Sequence, residues 1–162
     1  MTIRHVSGTR DHAAIAERLD LPADAAFTHQ LIEYEDDMPT VYAAADFVVC
    51  RAGASSVAEV AVAGLPSVLV PLPGAPGDHQ TANARALVDA GAAVLVVDGE
   101  LDAARFAAEV DRLVDDPDRL ASMAAAASSV ARPDAAVAVV DLLEQHASRP
   151  RPDAVSPEGT RR

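Results

Sequence analysis

The chain has 162 residues, of which 50% are hydrophobic and 23% charged, enough to bury the core of one ordinary domain and too apolar for a disordered chain. Acidic residues outnumber basic ones by 25 to 13, for a net charge of −12, which disfavours coating a nucleic acid or lying directly on an anionic bilayer. The single cysteine, Cys50, excludes a disulfide framework within the chain and fits a reducing compartment. No run approaches the roughly 20 apolar residues of a membrane span, and no signal-peptide core follows Met1. The expectation is a cytoplasmic domain.

In chain order, Ile3–Val6 reads as a strand ending at Ser7-Gly8, and Asp11–Leu19 as a helix. Phe27–Tyr34 is a second strand. Asp36-Asp37 opens a helix through Ala45, with Pro39 tolerated in its first turn. Phe47–Cys50 is a continuous, buried type of strand. Ser56–Ala63 is helical and stops at Gly64-Leu-Pro66; Ser67–Val70 is a strand. A Pro- and Gly-rich loop then runs from Pro71 to Gly77. Asp78 is placed to cap a helix to Ala90, and Ala93–Val97 is the last strand. Three helices follow. The first carries Phe106, Val110 and Leu113 on one face, the second starts at Asp116-Pro117, and Asp134 caps the third. Five strands with interleaved helices predict an α/β fold, a parallel sheet with its ligand crevice beyond the strand C-termini. Residues 1–147 form the folded part, and 148–162 read as a disordered tail.

Two loops fall where that crevice belongs. In the first, Arg51 to Glu59, Gly53 permits a tight turn, and the amides of Ala54, Ser55 and Ser56 stand at a helix start, suited to a diphosphate. The same residues fit a structural alternative. Ser56-Val-Ala-Glu59 is an S-x-x-E capping box, which satisfies those amides without any ligand. In the second loop, Gly74 to Asn83, His79 and Gln80 stand in the first helical turn. Gln80 offers one acceptor and two donors to sugar hydroxyls, and a solvated helix start is the bland alternative. His79 has no Cys or carboxylate at ligand spacing, so no metal site is read. Asp36 and Asp37 are better explained by capping than by acid–base work, and Cys50 as a structural thiol.

Taken together, Tyr34-Glu-Asp-Asp-Met38, Ala45-Asp-Phe-Val-Val-Cys-Arg-Ala-Gly53, Glu59, Ala63-Gly-Leu-Pro66 and Asp78-His-Gln-Thr-Ala-Asn-Ala84 resemble the MurG family over roughly residues 1–147. The Ala-Pro-Gly-Asp-His-Gln loop resembles actinobacterial members. The resemblance implies a Rossmann-like, GT-B C-terminal domain that binds a UDP-sugar, incomplete at its N-terminus. It implies the donor half of an inverting transferase that moves N-acetylglucosamine from its UDP donor to lipid-linked muramyl pentapeptide in peptidoglycan synthesis. Such a half is expected to be inactive alone, so no catalytic residue is named. Carried over by position, Glu59 binds the uridine ribose, and Ala54, Ser55 and Ser56 face the diphosphate. Gln80, with His79 beside it, matches the glutamine pair that reads the sugar; histidine at 79 departs from the Gln-Gln pattern. Glu35 meets the uracil edge through its main chain.

No cofactor and no metal are expected, the substrate being UDP-N-acetylglucosamine. The lipid-linked acceptor is reached only through another domain or chain, at the inner face of the plasma membrane, and nucleic acid is not a partner. Two rivals stand beside this reading. One is a UDP-sugar-binding subunit of a split two-chain transferase. The other is a relative of UDP-N-acetylglucosamine 2-epimerase, which needs acid–base carboxylates and a histidine that the donor loop does not supply.

Overall fold

The computed structural model describes residues 1–147; the tail read at 148–162 lies outside the described residues. The chain divides into two compact units, Met1–Ala45 and a second from Asp46 onward.

The first unit holds β1 (Thr2–Val6), α1 (Thr9–Arg18), β2 (Thr28–Ile32) and α2 (Met38–Ala44). β1 and β2 pair in parallel, with Ile3 opposite His29 and His5 opposite Leu31. The C-terminal end of this ladder is closed by Ser7, whose N–H donates to the Ile32 carbonyl at 2.9 Å and whose Oγ stands 3.1 Å from His12 Nδ1. Asp37 caps α2 by accepting from the Thr40 N–H at 3.2 Å, and Pro39 sits in the first turn, where its missing N–H costs nothing. On the sheet, His5 and His29 stack with ring centroids 5.4 Å apart. Burial, then the neighbouring His29, hold the His5 imidazole below its usual range.

The second unit holds β3 (Val48–Cys50), α3 (Ala54–Ala63), β4 (Ser67–Leu69), α4 (His79–Asp89), β5 (Ala93–Leu95), α5 (Ala103–Val114), α6 (Pro117–Val130) and α7 (Ala135–Ala147). Its three strands pair in parallel in the order β3-β4-β5, each joined to the next by a helix. The five expected strands are therefore all present, but as a two-stranded and a three-stranded sheet; β2 to β5 are shorter than the apolar runs that marked them, and β1 gains Thr2. Val68, Val70, Val96, Leu113 and Met123 form the centre of the core, with Phe47, Val49, Val94, Leu101 and Leu120 packed against it. α3 packs on α4 and α6, and α6 also on α5. Gly64 ends α3 in the left-handed region, at φ 67°, returning the chain directly to β4. Asp116 caps α6 by accepting from the Arg119 N–H at 2.9 Å.

Two features go beyond the sequence pattern. Glu109, 3% exposed on α5, lies 2.9 Å from both Arg105 and Arg112, so its buried charge is paired on two sides. On α7, Val137, Val139, Val140, Leu142 and Leu143 all remain exposed. α6 and α7 together make a stretch, Pro117–Ala147, long and apolar enough on composition to cross a membrane. Helical structure nevertheless breaks between Val130 and Ala135, and α6 contributes Met123 and Ala127 to the core, which is the behaviour of a core helix.

Candidate functional site

The second unit presents both loops at the C-terminal ends of its parallel strands. β3 ends at Cys50, and α3 begins at Ala54 with Gly53 as its N-cap. This start is three residues earlier than the S-x-x-E pattern implies, Gly53 standing at the N-cap where the pattern puts Ser56. Ser56 is the third residue of the helix rather than its cap, so the capping box does not form, and no side chain caps α3. Gly53 has φ −62°, which any residue adopts; a Cβ there would meet Ser56 Oγ at 3.7 Å. Its value is that it brings no side-chain oxygen to compete for the first-turn amides. Those amides belong to the exposed residues Ala54 and Ser55 and to the half-buried Ser56. They carry the positive end of the helix dipole.

Glu59 is exposed one turn further along α3. Its charge acts on Cys50 at the end of β3: burial, then Glu59, push the thiol up from 9.0 to about 11. Cys50 is thus held as a neutral thiol, in line with a structural role.

The second loop leaves β4 through Val70, Pro71 and Leu72 and re-enters a helix by a 3-10 turn at Pro76–Asp78. Asp78 stands at the N-cap of α4 in the left-handed region, at φ 51°, and its carboxylate accepts from the Thr81 hydroxyl at 2.7 Å rather than from a backbone amide. The expected side-chain cap is therefore replaced by an Asp–Thr brace. His79 Nδ1 lies 2.8 Å from the Pro76 carbonyl, leaving its ring exposed. Gln80 is half-buried, and its Oε1 accepts from the Leu72 N–H at 2.9 Å. A backbone N–H only donates, so this contact engages the Gln80 carbonyl and leaves its NH2 as the end not used by Leu72.

Glu35 belongs to the first unit. Its carboxylate accepts from Arg4 Nε at 2.9 Å and from Arg4 Nη2, and its other oxygen accepts from the Asp37 N–H at 3.1 Å. The Arg4 hydrogen bond first, then the Asp37 amide, lower its pKa below 4.5. Its side chain is occupied within its own unit. Among the described residues no three of His, Cys, Asp and Glu gather as metal ligands do.

Three residues missed by the sequence reading build the frame under the loops. Asn83 Nδ2 donates to the Ala52 carbonyl at 3.1 Å, tying α4 to the first loop. Arg51 Nη1 donates to the carbonyls of Val70 and Pro71, each at 3.3 Å, and pairs with Asp98 just past β5. The available signal was an arginine immediately after a buried strand in an acidic chain; its partners are too distant in sequence for any local pattern to name.

The profile of the glycosyltransferase family 28 C-terminal domain matches residues 1–139. A protein of Methylococcus capsulatus named UDP-N-acetylglucosamine--N-acetylmuramyl-(pentapeptide) pyrophosphoryl-undecaprenol N-acetylglucosamine transferase is 45% identical over 147 residues, which is 91% of this chain and 41% of that protein. The same-named protein of Stutzerimonas stutzeri is 46% identical over 138 residues, 85% of this chain and 38% of its own length. Among solved structures, Acinetobacter baumannii MurG superposes with a TM-score of 0.79 at 38% identity, over 90% of this chain and 41% of that one. The spinosyn forosaminyltransferase SpnP, 16% identical with a TM-score of 0.62, covers 91% of this chain and 44% of its own and shares the fold. The chain thus spans about two-fifths of the relatives it matches. With the profile covering most of its length, this chain belongs to the glycosyltransferase family 28 C-terminal domain family.

Proposed function

We propose that this chain binds the nucleotide-sugar donor of an inverting transferase. That enzyme moves N-acetylglucosamine from UDP-N-acetylglucosamine to lipid-linked muramyl pentapeptide in peptidoglycan synthesis. The observation that carries the reading is the first turn of α3, which opens with the exposed residues Ala54 and Ser55 and has no side-chain cap. A diphosphate supplies the acceptors that such a turn lacks, and the helix dipole favours its charge. In this reading Ala54, Ser55 and Ser56 hold the diphosphate, and Glu59 accepts from the ribose hydroxyls. The Gln80 amide, beside His79, meets the sugar, and the main chain of Glu35 meets the uracil. The amides and the dipole do the work at the diphosphate that a metal does elsewhere.

The displacement at the anomeric carbon also needs an oriented acceptor hydroxyl and a base. We assign these to the part of the enzyme that this chain does not span, whether in a longer chain or in a second one. The lipid-linked acceptor and the inner face of the plasma membrane are reached through that part.

Glu59→Ala tests the donor site. Charge-assisted hydrogen bonds of about 1.5–3 kcal/mol are lost from UDP binding if Glu59 holds the ribose, while the melting temperature holds. An unchanged dissociation constant with a lowered melting point would return Glu59 to a structural role.

A further inference from the structure

We infer that Arg51 is a positioning residue for the sugar end of this site, acting through the segment Val70–Leu72 and anchored by Asp98. The inference rests on the donor-site reading above and deepens it. Its basis is where the backbone groups of that segment find partners. The Val70 N–H continues the sheet by donating to the Cys50 carbonyl at 2.9 Å. Beyond it the ladder ends. The Val70 and Pro71 carbonyls both accept from Arg51 Nη1, proline has no N–H to give, and the Leu72 N–H donates to Gln80 Oε1. The path of the strap is thus written by two side chains, Arg51 from the first loop and Gln80 from α4.

Asp98 completes the arrangement. Arg51 leaves the end of β3, Val70 follows β4, and Asp98 opens the 3-10 turn after β5, so one guanidinium joins the C-terminal ends of all three strands. An exposed ion pair alone contributes little. Here the carboxylate and the two carbonyls all accept from the same atom, Nη1, so the ion pair fixes the donor that serves the strap. Because Leu72 holds the Gln80 carbonyl, a shift of the strap moves the Gln80 NH2 that faces the sugar. Among the described residues the first-turn amides of α3 make no hydrogen bond to the strap, whose side-chain partners are Arg51 and Gln80.

The test is titration of the whole chain with UDP and with UDP-N-acetylglucosamine, comparing the unsubstituted protein with Arg51→Met and Asp98→Ala. Asp98 is at the surface and serves if Arg51→Met fails to fold. For each folded variant we expect UDP affinity to stay within about twofold, a surface-sized change. We expect the preference for the sugar nucleotide over UDP to fall about tenfold in Arg51→Met, the equivalent of one lost hydrogen bond, and less in Asp98→Ala. Equal weakening of both ligands, or of neither, overturns the inference. If the unsubstituted chain binds neither ligand, the donor-site reading fails first. Hydrogen exchange at the Leu72 amide, which needs no ligand, then reads the strap: faster exchange in Arg51→Met supports the tie, and unchanged exchange overturns it.

Discussion

The two units of this chain are built on the same local plan and differ in how far they close. Both are made of parallel strands connected by helices. In the second unit β4 is paired on both edges and buried at every residue, and the core hydrophobics run from Ala52 to Ala127. In the first unit none of the four elements contains a fully buried residue, and the sheet has two strands. A two-stranded sheet is marginal in water, whereas a middle strand covered by helices is the strongest part of an α/β fold. The difference teaches where rigidity resides. The first turn of α3, the strap and α4 stand on the closed sheet, and Glu35, whose main chain is proposed to meet the uracil, stands on the thinner one.

The largest effect should come from emptying the closed core. Leu69, on β4, is 0% exposed, so Leu69→Ala should cost about 2–5 kcal/mol in denaturant unfolding. Ile3→Ala, at a half-buried position on β1, should cost a fraction of that. Equal costs would show that the first unit carries a core of its own and would break the comparison.

The units should also respond to opposite ends of the pH scale. On the alkaline side the unfolded Cys50 thiol ionises near 9.0, while the folded thiol keeps its proton to about 11. The unfolded state therefore loses its proton first, and stability of the second unit falls across that window, by at most about 2–3 kcal/mol. At pH 8, alkylation of Cys50 should be about 100-fold slower than that of an unperturbed thiol, and Glu59→Gln should speed it by removing the second cause of the shift. On the acid side the order reverses. His5 is held below 6.5, so the unfolded imidazole takes its proton first and stability falls as pH drops through 6.5. Glu35, held below 4.5 by Arg4, adds a further loss at lower pH. Proton signals from the first unit should therefore disperse less on acidification before those of the second change. Simultaneous loss of both would remove the asymmetry.

Much of this was legible in the sequence because the signals were local. Each apolar run became a strand, and Asp37 and Asp116 cap their helices through bonds that span three residues. The failures came where a local pattern had a non-local competitor. Ser56-Val-Ala-Glu59 satisfies the capping-box spelling, yet the small residues Ala54 and Ser55 let the helix begin earlier, at Gly53. Asp78 has the chemistry of a cap, yet its left-handed backbone turns the carboxylate to Thr81. Gln80 was recognisable as a polar group at a helix start; that its carbonyl belongs to Leu72 follows only from the path of the loop. Arg51 has partners 19, 20 and 47 residues away, and no spacing rule reaches so far.

A smaller effect tests the close approach of two helices in the second unit. Gly64 has φ 67°, and a Cβ on it would lie 2.7 Å from Ser128 Oγ on α6. Gly64→Ala should therefore lower stability by about 1–2 kcal/mol for the backbone alone, with the contact adding to it. Adding Ser128→Ala to that variant should recover the steric part and leave the backbone part, which a double-mutant cycle by thermal unfolding measures.

The smallest expected effect has the opposite sign. Ser67 opens β4 with a side chain that is fully buried, and its Oγ has no hydrogen-bond partner among the described residues. A buried hydroxyl left unpaired carries a desolvation cost of about 1–3 kcal/mol, and removing it leaves a methyl group in the same apolar space. The oxygen is small, so the void that replaces it offsets part of the gain. Ser67→Ala should thus leave the second unit as stable or raise it by about 1 kcal/mol, read as a higher denaturant midpoint at unchanged slope. The corresponding change in the first unit, Ser7→Ala, should lower stability instead. There the hydroxyl donates to the Ile32 carbonyl at 3.2 Å and meets His12, so truncation removes bonds that close the end of the two-stranded sheet. Destabilisation by Ser67→Ala would mean that its hydroxyl is satisfied, and the closed sheet would then depend on a polar contact at its centre just as the open one does at its end.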